Sequence, residues 1–261
     1  MKRSLGCVVI SVLWLLWLGL LPCTFAAIVV TGRGGWSRFW GLSSVALSAA
    51  AWVNWVLHRR DRFATACALI ALGMSLGMLA DLYGAFRVLR FTEPLVMIIP
   101  LFALGHVAYI GGMLALARRL GLTGRSAWAG TFASVYALCN LAGLAIWAVL
   151  VRPSESLPSM HVPTAGYTVF LSTAAAVMAT VACLDRRFLA VGIGGLLFLI
   201  SDAFLAVRLF QDNWHGIGDL CWITYGIGQM LIVYGVIAAV WPRMDPEGQN
   251  PIQSLPGGCQ R

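Results

Sequence analysis

Eight long apolar runs separated by short polar stretches dominate the chain, near 5–30, 38–57, 63–86, 94–117, 126–150, 163–184, 188–210 and 217–241. Each is about as long as the ~20 residues a helix needs to cross the hydrocarbon of a bilayer. The connections carry the charge and the helix breakers: HRRDR at 58–62, RRLGLTGR at 118–125, RPSESLPSMH at 152–161 and DRR at 185–187. None of them is long enough to fold alone. Beyond Pro242 the chain turns rich in Pro, Gly and Gln, the composition of a disordered tail. The pattern predicts an all-α, polytopic membrane bundle of about eight transmembrane helices, a single transmembrane domain over 1–241 followed by a cytoplasmic tail over 242–261.

Composition agrees. Hydrophobic residues make up 60% of the chain and charged residues 11%, with a mean hydropathy of +0.83, whereas a soluble domain carries roughly 25% charged residues. The net charge of +8 comes from one Lys and seventeen Arg. They sit in small clusters between the apolar runs, so they make no continuous basic face, and a nucleic-acid partner is not expected. Lys and Arg instead report orientation. Counted on alternate sides of eight spans they divide 12 to 6. The richer side holds both termini, which are therefore expected in the cytoplasm of a multi-pass inner-membrane protein of bacterial type.

The first run could alternatively be a cleaved signal peptide, because Lys2 and Arg3 precede it and Thr24-Phe25-Ala26 has the small residues of a cleavage site. Its apolar stretch continues through Val30, longer than the usual 7–15 residues of a signal core, and a retained helix is the expectation. An internal echo is also visible. GMLADLYGAFRVLRF at 77–91 aligns with FLISDAFLAVRLFQD at 198–212, setting Asp81 on Asp202 and Arg87 on Arg208 at an offset of 121 residues. That offset is four spans, as in a duplicated four-helix unit whose halves are related by an axis along the membrane normal.

An ionisable side chain facing lipid costs several kcal/mol, so a carboxylate inside a span is a candidate site. Asp81 and Asp202 are the clearest cases, roughly 27 and 21 Å from the cytoplasmic ends of their spans at 1.5 Å per residue. The fourth span adds His106 and Tyr109, three apart on one face, and the eighth adds Tyr225 and Gln229, four apart. Ser201 and Thr224 lie beside them. Arg87 and Arg208 each follow their Asp by six residues, too far round the helix for an i,i+4 pair and nearer the interface, where they can meet a lipid head group. Arg90, Glu93, Asp212 and Asp219 read as ordinary interfacial charges. The competing structural reading is that the acids and Arg residues only pair with each other to hold helices together, a modest contribution of about 0.6–2 kcal/mol. Two acids, a His, two Tyr and a Gln at compatible depths exceed that need.

Other motifs carry less. Gly73-Met74-Ser75-Leu76-Gly77 spells G-x-S-x-G, but that nucleophile motif requires a strained turn between a strand and a helix. Inside an apolar helix its glycines read as a close helix contact. Gly192, Gly194 and Gly195 lack the strand–turn–helix setting of a dinucleotide loop. The seven Cys lie mostly within apolar runs with no Cys-x-x-Cys pair, and His58, His106, His161 and His215 are scattered, so no structural metal is expected.

GMLADLYGAF with FALGHVAYIGGM, and GGLLFLISDAFLAVRLF with TYGIGQMLIVYG, resemble the YhhN family of lysoplasmalogenases. The likeness covers most of the chain in span order and length. It is specific at Asp81, Gly105-His106 and Tyr109, Ser201-Asp202, and Tyr225 and Gln229; Ala80 departs from the Gly usual before the first Asp. The resemblance implies a membrane hydrolase that cleaves the vinyl ether bond of lysoplasmalogens to a fatty aldehyde and a glycerophospho head group. It also implies an ether-lipid or lysophospholipid substrate taken from the bilayer, and neither metal nor organic cofactor. Such chemistry delivers a proton to carbon, stabilises an oxocarbenium-like cation and activates water, work that two carboxylates can divide as they do in glycosidases. The residues leave open which of Asp81 and Asp202 is the acid. His106, Tyr109, Tyr225 and Gln229 would orient water or hold the glycerol hydroxyl, and Arg87 or Arg208 would bind phosphate. An ion-coupled transporter is the main alternative, since paired intramembrane acids and a repeat describe such carriers too. It lacks the paired Gly/Pro interruptions at the midplane, since Pro94 and Pro158 lie at helix ends and Pro100 has no partner in the other half. A non-catalytic scaffold is the third reading.

Overall fold

The computed structural model describes residues 2–31, 37–86, 94–211 and 217–241. Arg87, Arg90, Glu93, Asp212, His215 and the segment 242–261 lie outside them. The described residues form eight α-helices and no strand: α1 (Lys2–Thr31), α2 (Ser37–His58), α3 (Ala64–Phe86), α4 (Pro94–Arg119), α5 (Ala127–Leu150), α6 (His161–Leu184), α7 (Leu189–Phe210) and α8 (Ile217–Val240). Short 3-10 turns precede α5, α6 and α7. Pro100 lies inside α4, which runs on through it.

Six of these helices, α3 to α8, are long and apolar enough to cross a membrane. In α1 the described apolar stretch is Leu5–Leu20. α2 is more polar because it brings buried Ser44, Ser48, Asn54 and His58 into the bundle. The periphery is as apolar as the core. On α5 only Cys139, Asn140 and Gly143 are buried, while Leu138, Leu141 and Val149 are each about 70% exposed. A water-soluble surface rarely presents so large an apolar face, and these helices suggest a multi-pass membrane protein.

Neighbours in sequence pack as hairpins, most extensively α7 with α8 and α3 with α4. The two halves, α1–α4 and α5–α8, are then joined by α4 against α6 and α2 against α8. Exchanging the halves maps each of these two contacts onto the other, and likewise α1–α2 onto α5–α6 and α2–α3 onto α6–α7. Trp17 from α1 is buried in the core, and Tyr234 on α8 donates to the backbone carbonyl of Ile10 at 3.0 Å.

Each large hairpin closes on a glycine pair. A Cβ on Gly73 would lie 2.7 Å from the Tyr109 ring and 2.9 Å from the Gly105 carbonyl oxygen, and one on Gly194 would lie 2.7 Å from the Gly228 carbonyl oxygen. Those glycines therefore set how closely the backbones approach, the role expected of Gly73 from the sequence. Ser75 belongs to the α2–α3 contact, where it meets Ser48 at 2.9 Å and accepts from Trp52 Nε1 at 2.8 Å. Replacing Gly194 by Leu is expected to destabilise the bundle by about 1–3 kcal/mol through overpacking. Gly19→Leu, where nothing lies within 4 Å, should leave the thermal unfolding midpoint in detergent unchanged.

Candidate functional site

The approach of α3 to α4 and of α7 to α8 leaves a cavity of about 450 Å³ between the halves, lined by residues of α3, α4, α5, α6, α7 and α8. Most of its wall is aliphatic or aromatic, including Leu95, Ile98, Phe102, Ile146 and Leu199. Its ionisable and hydroxyl-bearing lining comprises Asp81, Asp202, Tyr167, Tyr225, Thr164, Thr168, Arg208 and Cys221. A small-molecule site of this size with a few convergent polar groups is an ordinary ligand pocket.

Both aspartates reach it from the same register of their hairpins. Asp81 follows Gly73 by eight residues and Asp202 follows Gly194 by eight, about 12 Å beyond each backbone crossing. Their oxygens are held by hydroxyls of other helices. Asp81 Oδ2 accepts from Ser44 Oγ on α2 and, at 2.7 Å, from Tyr225 Oη on α8. Asp202 Oδ2 accepts from Tyr167 Oη on α6 at 2.5 Å. Ser201 Oγ sits 3.3 Å from Asp202 Oδ1 and 2.7 Å from the Phe198 carbonyl oxygen. Asp81 is buried, whereas Asp202 is half-buried.

The remaining candidates lie behind this wall. Tyr109 Oη donates to Gln229 Oε1 at 2.8 Å, deep in the bundle, and both residues are buried. His106 is 1% exposed, and its Nε2 lies 3.3 Å from Tyr167 Oη. Phe198 separates these layers, with ring centroids 4.9 Å from His106 and 5.1 Å from Tyr225. His106, Tyr109, Ser201 and Gln229 thus do not line the cavity and can act on it only through Tyr167, Tyr225 or Asp202. Arg208 lines the cavity near the end of α7, with its guanidinium beside Gly218 of α8. Arg87 lies outside the described residues. No group of three His, Cys, Asp or Glu could hold a metal among the described residues.

Tyr167 and Ser44 were not singled out from the sequence. The signal available was weak: hydroxyls at helical spacing on otherwise apolar helices, Ser44 with Ser48 and Thr164 with Tyr167 and Thr168. Thr168 shows why it is weak, since its hydroxyl is taken up by the carbonyl of Thr164 at 2.8 Å.

The fold and cavity define an all-helical bundle with two acids facing one apolar chamber. A sequence profile of the YhhN family matches residues 37–236, and the chain belongs to that family. No curated protein and no solved structure matches it.

The hydroxyl clamps have a consequence for stability. Asp81→Asn keeps a carbonyl oxygen for Ser44 and Tyr225 and should unfold near the wild-type midpoint. Asp81→Leu strands two buried hydroxyls, each at a cost of about 1–3 kcal/mol, and a detergent thermal melt should separate the two variants.

Proposed function

We propose that this protein is a membrane-embedded hydrolase that cleaves the vinyl ether bond of lysoplasmalogens, with Asp81 and Asp202 as its reacting groups. The observation that carries the reading is the pair of acids on one mainly apolar cavity, each with a different set of hydroxyl partners. Family membership supports it. The alkenyl chain would occupy the aliphatic wall and the head-group phosphate would meet Arg208, whose guanidinium offers a fork of donors to phosphate oxygens. Arg87 is the second candidate for that role. The bundle would lie in the bacterial inner membrane with both termini in the cytoplasm, as the division of Lys and Arg favours.

The donor sets suit a division of labour. Asp81 receives two hydroxyl protons on one oxygen, from Ser44 and Tyr225, and is assigned the carboxylate that accepts them. Ser201 has a single proton, which serves its shorter contact to the Phe198 carbonyl. The longer contact from Ser201 Oγ to Asp202 Oδ1 is then open to a proton carried by Asp202. Asp202 would deliver that proton to the vinyl carbon that does not bear oxygen. The cation so formed is shared between the other carbon and the ether oxygen, and the Asp81 carboxylate stabilises it. Water adds to the cationic carbon and gives a proton to Asp81. The resulting hemiacetal collapses as Asp81 protonates the glycerol oxygen and the hemiacetal hydroxyl returns a proton to Asp202. One water is consumed, a fatty aldehyde and a glycerol hydroxyl are released, and both acids regain their starting states.

The assay is fatty aldehyde release from lysoplasmenylethanolamine by detergent-purified protein. Wild type should turn over, and Asp81→Asn and Asp202→Asn, folded and inserted, should each lose about a hundredfold or more, as removal of a general acid or base does. A wild type inert on vinyl ether lysolipids overturns the hydrolase reading in favour of a carrier or scaffold. Arg208→Gln should raise KM about tenfold, as expected for a lost hydrogen bond to a charged group, with kcat little changed.

A further inference from the structure

We propose that Tyr167 is a positioning residue that fixes which oxygen of Asp202 carries the reacting proton, and that His106 sets the direction of the Tyr167 hydroxyl. The assignment rests on the reading of Asp202 as the acid.

Tyr167 Oη stands between two partners, Asp202 Oδ2 at 2.5 Å and His106 Nε2 at 3.3 Å. A phenol has one proton to give. His106 Nδ1 is buried with no hydrogen-bond partner among the described residues. Its surroundings are the rings of Phe198, Tyr109 and Tyr167 at centroid distances of 4.9, 6.4 and 5.6 Å. Of the two neutral tautomers, one buries an N–H donor there with nothing to receive it. The other leaves only a lone pair unmatched and turns an Nε2–H toward Tyr167. An orphaned donor is the rarer event in protein interiors, so the second tautomer is the one the site supports.

With Nε2–H donating to the phenol oxygen, the Tyr167 proton has one direction left, toward Asp202 Oδ2. That oxygen is then an acceptor, and the carboxyl proton belongs on Oδ1, the oxygen beside Ser201. The chain His106–Tyr167–Asp202 therefore orients an acid; it does not conduct protons, because His106 is 1% exposed and leads nowhere. His106 is drawn from α4 and Tyr167 from α6, so the element that joins the two halves of the bundle also aims the acid.

Tyr167→Phe removes one oxygen and keeps the ring. In aldehyde release it should lower kcat about tenfold or more, the range for losing a hydrogen bond to an ionisable group, with KM within about twofold. His106→Leu should do the same, and the double variant should be no worse than either single one, since both break one chain. His106→Gln, which keeps an N–H donor, should recover most of the loss. A second readout needs no turnover. The infrared carbonyl stretch of the protonated Asp202 carboxyl, assigned by its loss in Asp202→Asn, should rise in frequency in Tyr167→Phe as Oδ2 loses its donor. Unchanged kcat with an unmoved band in folded Tyr167→Phe overturns the assignment, as do additive effects of the two substitutions or the absence of any band lost in Asp202→Asn. If wild type releases no aldehyde, the hydrolase reading fails, and the infrared shift alone decides the role of Tyr167.

Discussion

A carboxyl group set among hydrocarbon side chains must find hydrogen-bond donors within reach, or its burial costs more than any neighbouring contact returns. Two such groups face one cavity here, and the packing of the helices around it follows from how each is served. Asp81 on α3 is held by Ser44 of α2 and Tyr225 of α8; Asp202 on α7 is held by Tyr167 of α6, which in turn meets His106 of α4. The helices that supply these donors are the ones that join the halves, α2 against α8 and α4 against α6. A bundle whose interior contacts were only apolar would have no comparable reason to choose this register, because apolar packing between helices in lipid is weakly specific.

The glycine crossings make the arrangement possible. Where Gly73 meets Gly105 and Gly194 meets Gly228, the backbones come closer than side chains would allow. The same hairpins carry an acid to the cavity eight residues later. The two halves are nevertheless not equivalent. The position aligned with Gly77 at the 121-residue offset is Phe198. Phe198 packs its ring against His106 and Tyr225, whereas Gly77 leaves room beside Gln229 and Tyr225. Asymmetric filling gives the two acids different surroundings within a nearly symmetric frame, and chemistry that needs one acid and one carboxylate needs that difference.

Much of the frame was legible because it depends on long apolar runs, whose length and number survive any detail of packing. The helices follow them, and Asp81 and Asp202, which align at the 121-residue offset, face one cavity. The supporting layer was less legible. His106, Tyr109 and Gln229 stood out as polar residues in apolar helices, but their distance from the cavity depends on which face each helix turns inward. α3 to α8 are nearly apolar all round, so periodicity does not say which face that is. Tyr167 and Ser44 were missed for a different reason. A Ser or Thr hydroxyl in an apolar helix is ordinarily satisfied by the carbonyl one turn back, as Thr173 and Thr180 are at 2.7 and 2.8 Å. A Tyr hydroxyl, in contrast, bonds whatever a neighbouring helix presents, so only the tertiary structure reveals that Ser44 and Tyr167 reach a carboxyl.

The central claim is that an acid fixed in the wall delivers a proton to carbon. It is tested most directly by hydrolysing a vinyl ether lysolipid in deuterated water enriched in oxygen-18, trapping the aldehyde at once as its alcohol, and reading the carbon next to the former carbonyl and the mass of the glycerol product. Delivery from the wall predicts one deuterium there, on a single stereochemical face, with the glycerol oxygen retained from the substrate. Deuterium on both faces equally, no deuterium at that carbon, or a glycerol oxygen derived from water would contradict it.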